Sequence, residues 1–152
     1  MKKEEKSSSK CSICGRPIHK ESKYCIFHAT PKEKTVEEFK KALKEYIKKI
    51  QENNLDYSFI EFIFVGKINF KEEFKLNTFK HANFIKAIFE DEVNFQNATF
   101  EDSASFERAT FKGYTIFVET TFKNHVFLTI QFLKNLLTSE RQPLMTLLVL
   151  WK

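Results

Sequence analysis

Phenylalanine recurs at an almost constant interval through the middle of this chain. It stands at positions 59, 64, 70, 74, 79, 84, 89, 95, 100, 106, 111, 117, 122, 127 and 132. A helix turns about 100° per residue, so a step of five rotates roughly 140° and scatters successive rings around the cylinder. A flat strand alternates its faces, so an odd step sends neighbouring rings to opposite sides. Both regular readings fail. A chain that turns a corner in every repeat does fit, with each Phe pointing inward from a new wall. Small residues stand two positions before many of the rings: Ala82, Ala87, Ala98, Ala104, Ala109 and Thr120. The residues just after the rings are mostly polar, as in Lys80-His81, Glu90-Asp91, Gln96-Asn97, Glu101-Asp102, Glu107-Arg108 and Lys123-Asn124. Phe and the small residue therefore face in. One such repeat cannot bury its apolar side alone, but stacked coils can.

The segments Ala82-Asn83-Phe84, Ala87-Ile88-Phe89, Ala98-Thr99-Phe100, Ala104-Ser105-Phe106 and Ala109-Thr110-Phe111 resemble the centre of the pentapeptide-repeat family. The resemblance covers about half the chain and implies a mainly β fold, a right-handed, four-sided β-solenoid over 57–132. Its core residues would be Phe79, Phe84, Phe89, Phe95, Phe100, Phe106, Phe111, Phe117, Phe122 and Phe127. Steps of six, such as 89 to 95 and 100 to 106, alternate with steps of five, and the alternation resembles a Phe-rich branch of the family. The extra residue is expected to bulge at a corner. Four sides per coil would stack Phe74 under Phe95 and Phe117, and Phe84 under Phe106 and Phe127. Steps are ragged over 59–79, which reads as a first, irregular coil.

Before the ladder stands a different motif. Residues 11–28 read Cys-x2-Cys, ten residues, Cys-x2-His, with Cys11, Cys14, Cys25 and His28 as paired ligands. Two pairs make a tetrahedral Cys3His zinc site. The knuckle, 11–30, is too short for a core of its own, so Zn2+ would supply its folding energy as a structural cofactor. His19 competes for the fourth place but breaks the paired spacing. The segment looks like the short zinc-ribbon or treble-clef knuckles found at chain ends. Four protein ligands leave no open position, which argues against a catalytic zinc. All three cysteines lie in this cluster, which points to metal rather than disulfides and to a reducing, cytoplasmic setting.

Thr35 and Glu38 form a capping box at the start of a helix over 35–52. Val36, Phe39, Ala42, Leu43, Tyr46, Ile47 and Ile50 make one apolar stripe, and Glu37–Lys41 and Glu45–Lys49 are spaced as ion pairs on the wet face. A solenoid has open ends that must be covered, and this helix is placed to cover the first. Residues 1–10 are Lys, Glu and Ser, expected to be disordered, and lack the apolar run of a signal peptide. A short C-terminal helix is expected from about Leu128 to Glu140, within a C-terminal segment assigned to 133–152. That segment ends in an apolar tail, Pro143 to Trp151, which is too short to span a bilayer and capable at most of weak membrane contact.

Charge is unevenly placed: residues 1–58 hold 14 Lys+Arg against nine acids, and 59–130 hold eight against ten. No catalytic constellation accompanies the ladder, and His81 and His125 stand alone as corner residues. The chain reads as a non-catalytic scaffold for an unidentified protein partner, with oligomeric state open. The alternative is nucleic-acid association through Lys10, Arg16, Lys20 and Lys23 of the basic knuckle. Some pentapeptide-repeat proteins mimic duplex DNA toward a topoisomerase; that role needs a strongly acidic rod, which this composition does not supply.

Overall fold

A computed structural model describes residues 9–127. The tail residues 1–8, Phe132, the helix expected from Leu128 and the apolar tail to Trp151 lie outside the described residues.

Helix α1 (Val36–Asn53) starts at Thr35, whose side chain accepts from the Glu38 amide while the Glu38 carboxylate accepts from the Thr35 amide. It ends at Asn54, left-handed at φ 50°. Phe39, Leu43, Ile47 and Ile50 form its buried stripe. The ion pair within the helix is Lys48–Glu52 at 3.6 Å; neither Glu37–Lys41 nor Glu45–Lys49 forms.

Thirteen two-residue strands follow: β1 (Tyr57–Ser58), β2 (Ile63–Phe64), β3 (Ile68–Asn69), β4 (Thr78–Phe79), β5 (Ala82–Asn83), β6 (Ile88–Phe89), β7 (Val93–Asn94), β8 (Thr99–Phe100), β9 (Ala104–Ser105), β10 (Thr110–Phe111), β11 (Thr115–Ile116), β12 (Thr121–Phe122) and β13 (Val126–Phe127). They stack in four parallel sheets, β1-β5-β9-β13, β2-β6-β10, β3-β7-β11 and β4-β8-β12. Four walls repeated over about three turns make a β-solenoid.

The alternating step is explained by two corner forms. In the corners after Phe84, Phe95 and Phe106, each a five-residue step, the amide three residues on donates back to the Phe carbonyl: Ala87 to Phe84, Ala98 to Phe95 and Ala109 to Phe106, each at 3.0 Å. The middle residues Lys86, Asn97 and Arg108 take left-handed φ of 54–57°. The returning residue points inward against the rings, which is why it is small. Asn83 and Asn94 brace the entry, accepting from the amides two residues on at 3.0 and 2.7 Å. Six-residue steps turn through a longer bend instead, so the extra residue lengthens a corner and bulges no strand.

Inside, the rings form four columns. Phe59, Phe84 and Phe106 stack at 4.8 and 4.9 Å between centroids, and Phe64, Phe89 and Phe111 at 4.4 and 4.9 Å. Phe70, Phe95 and Phe117 stack at 5.0 Å throughout, and Phe79, Phe100 and Phe122 at 4.8 and 4.9 Å. Burying each ring is worth roughly 1.5–3 kcal/mol, and rings of neighbouring columns meet edge to face, as Phe84 meets Phe95 and Phe100 meets Phe106, or tilted, as Phe95 meets Phe100.

Two expected column members are displaced. Phe70, not Phe74, underlies Phe95. A one-turn helix, α2 (Phe70–Phe74), is inserted after β3, capped by Asn69 and closed by left-handed Lys75, and it carries Phe74 out of the column. Phe127 pairs with Ser105 rather than Phe106 and is 58% exposed. A coil takes 22 residues here, as Ala82, Ala104 and Val126 show, so a sixth residue after Phe122 is needed to reach the Phe106 column. Position 127 is one short.

Candidate metal centre

Each ligand pair sits on its own tight turn. In the first, Gly15 donates to the Cys11 carbonyl at 2.8 Å and Cys11 donates to that of Arg16 at 2.7 Å. Gly15 adopts φ +71° with open space around it, so the residue is fitted by backbone freedom rather than by crowding. In the second turn the amides of His28 and Ala29 donate to the Cys25 carbonyl at 3.0 and 2.8 Å.

Both turns aim inward. Cys11, Cys25 and His28 are buried and Cys14 is half-buried. The Cys14 and Cys25 sulfurs are 3.5 Å apart, and His28 Nδ1 lies 3.5 Å from Cys11 Sγ and 3.2 Å from Cys25 Sγ. All four ligand atoms fall within 4.8 Å of one another. Tetrahedral ligands about 2.0–2.3 Å from a zinc ion would be separated by roughly 3.5 to 3.8 Å. The residues therefore fit a single tetrahedral ion. His19 takes no part; its ring lies 3.7 Å from Glu38.

The surroundings suit a thiolate site. Burial pushes the Cys11 thiol up, yet the backbone at Cys25, Cys14 and Ile13 and the His28 ring outweigh it and pull it down to about 6. His28 Nε2 is 3.1 Å from the Ile60 carbonyl, so Nε2 carries the hydrogen and Nδ1 keeps a free lone pair toward the thiols. A divalent ion on three thiolates and a neutral imidazole would leave one negative charge. Two basic side chains stand near it. Arg16 lies over the rings of Tyr46, Phe27 and Phe62 at 5.0, 5.6 and 5.8 Å, and although burial pulls its pKa down, the Cys14 side chain nearby leads the groups that hold it up. Lys34 is buried and donates to the carbonyls of Ile63, Ile26 and Phe27 at 2.6, 2.9 and 3.4 Å. Burial draws its pKa down to about 7, opposed by the charges of Cys25, Glu90 and Glu33.

The centre is continuous with the solenoid. Phe27 stacks on Phe62 at 4.4 Å, nearly parallel, and Ile63 donates to the Phe27 carbonyl at 2.8 Å. Phe62 occupies the slot that Ala87 and Ala109 hold in the coils above. The bottom coil has no neighbour beneath it, so that slot admits a ring reaching down to the knuckle. Phe39 of α1 meets both Phe27 and Phe64 edge to face. Phe27, Phe39 and Phe62 are the three phenylalanines off the ladder, and all three lie in this seal. Sequence reasoning passed over Phe27 and Phe62, Arg16 as an aromatic filling and Lys34 as a buried tie. The absence of a small residue before Phe64 was the available signal.

Residues 84–129 match the family model described as Pentapeptide repeats (9 copies). The described part of the match, 84–127, is stacked solenoid coil, so pattern and structure agree there on pentapeptide repeats. No curated protein and no solved structure matches the chain. His81, just before the matched stretch, is 3.2 Å from Asp102 of the next coil rather than alone, and His125 is exposed. No helix among the described residues is long and apolar enough to cross a membrane.

Proposed function

We propose that the chain is a non-catalytic scaffold for a protein partner, with a structural Zn2+ held by Cys11, Cys14, Cys25 and His28 at its N-terminal end. The observation that carries the reading is the filled interior. Phenylalanine rings occupy the axis of every described coil, and the grooves lined by His19, Ser22 and Glu33 and by Gln51, Tyr57 and Lys80 lie outside it. What the solenoid offers is its outer walls, which are rigid and polar.

Nucleic-acid association finds less support. Of the basic residues in the knuckle, Arg16 is enclosed by aromatic rings, and Lys20 is paired with Glu38 at 2.7 Å. Duplex mimicry finds less still. Acids on the walls are paired from coil to coil, Glu61 with Lys86, Glu90 with Lys112, Glu92 with Lys67 and Glu101 with Lys123, so no continuous negative face builds up.

The test is metal content together with duplex-DNA retention across a salt series, on purified reduced protein. One zinc per chain with no salt-sensitive retention at physiological ionic strength is expected. Zinc-dependent retention that falls steeply with salt would transfer the function to the knuckle. A turnover activity lost in Glu90→Gln would overturn the non-catalytic reading.

A further inference from the structure

We propose that the metal centre is the latch of the first coil: metal release opens the N-terminal end of the solenoid while the upper coils stay stacked. This rests on reading Cys11, Cys14, Cys25 and His28 as a zinc site. The segment from Cys25 to His28 carries two of the four ligands, and three of its residues hold the chain from Ile60 to Ile63. His28 donates from Nε2 to the Ile60 carbonyl, and Phe27 accepts the Ile63 amide and stacks on Phe62. Lys34 then bridges the Ile26 and Phe27 carbonyls to that of Ile63. Every one of these links is made at or beside the turn at Cys25; Phe27 packs that turn against Phe39, Tyr46 and Phe62, and the ion would be what ties it to Cys11 and Cys14.

The first coil depends on the latch because it differs from the coils above. It has a neighbouring coil on one side only, it is interrupted by α2, and its Phe62 stacks face to face on Phe27 rather than on a ring of another coil. The later coils hold one another. Phe84, Phe95 and Phe106 are each enclosed to within 1% exposure, and the amides of Phe84 and Phe95 donate to the coil above at 2.7 and 2.8 Å. Loss of the ion should therefore travel from the knuckle into 59–68 and the underside of α1, then stop. What it uncovers is the apolar end made by Phe59, Phe62 and Phe64.

Hydrogen exchange followed by mass spectrometry tests this on the full chain, loaded with one equivalent of Zn2+ and again after a chelator has removed it under reducing conditions. Peptides from 59–68 and 36–50 should lose protection about tenfold or more, while those from 93–111 change less than about twofold. Loss confined to 9–30 would show that the metal only staples its own loop, and equal loss over 93–111 would show that it supports the whole fold; either overturns the latch. Native mass separates this from failure of the zinc reading, because a chain that takes up no zinc fails at the first step. Phe27→Leu, which spares every ligand, should keep its zinc and still show faster exchange over 59–68. Retained zinc with an unchanged first coil would contradict the proposal.

Discussion

The two ends of the described solenoid carry the same repeat and different surroundings. At the lower end Phe59 and Phe64 are fully enclosed by α1, Phe27 and Phe62. Two coils up the same column leaves Phe111 half-buried, and Phe127, Tyr114 and Val118 are 58%, 63% and 37% exposed. Phe59 and Phe64 owe their enclosure to what lies beneath the first coil. The lower seal comes from outside the repeat: an amphipathic helix, two off-ladder rings before the first coil and a third in the slot where the repeat demands a small residue. Periodicity builds the interior, and a break in periodicity ends it.

The largest contrast should come from the rings. Phe84→Ala removes the middle of a column and should cost about 3–5 kcal/mol, whereas Phe122→Ala, in the last described coil, should cost about 1–2. Urea unfolding of the two variants measures this, and equal costs would erase the difference between interior and end. Glycines come next. A Cβ at Gly113 would lie 2.4 Å from the Asp91 carbonyl carbon, and backbone there moves only if two coils part. Gly66, at φ +76°, faces a Val36 methyl at 2.5 Å, and a side chain can shift. Gly113→Ala should therefore lose about 1–3 kcal/mol and exceed Gly66→Ala, near 1 kcal/mol, in the same assay.

Lys34 sharpens the picture of the sealed end. Burial lowers its pKa to about 7 from an ordinary 10.5, so above pH 7 the unfolded chain binds the extra proton. Stability of the zinc-loaded protein should rise with pH between about 7 and 10.5, and Lys34→Met should flatten that rise. A slope unchanged in the variant would assign it to other groups. The smallest effect is expected on the outer wall, where a double-mutant cycle on Glu90 and Lys112 should return a coupling of about 0.5 kcal/mol or less.

The solenoid was legible because its signal repeats: one ring per wall, with a small residue two before it, leaves few alternatives. The clustering of Cys11, Cys14, Cys25 and His28 was legible for a related reason, since paired spacing sets the geometry of each pair locally. What escaped depended on contacts between distant parts. The four-residue step from Phe70 to Phe74 marks a helical turn, but nothing local says which ring stays in the column. Phe127 looked like another rung, and only the 22-residue register puts it outside. Lys34 reads as one more surface lysine until the knuckle, the linker and β2 are brought together around it. Arg16 reads as a phosphate partner until three rings close over it.

X-ray absorption at the zinc edge on the purified, reduced protein tests the seal most directly. The account predicts three sulfur ligands at about 2.3 Å and one nitrogen at about 2.0–2.1 Å, with the nitrogen lost in His28→Ala. A shell containing oxygen, or one that keeps its nitrogen in His28→Ala, would contradict it and separate the metal from the Ile60 corner that His28 ties to the solenoid.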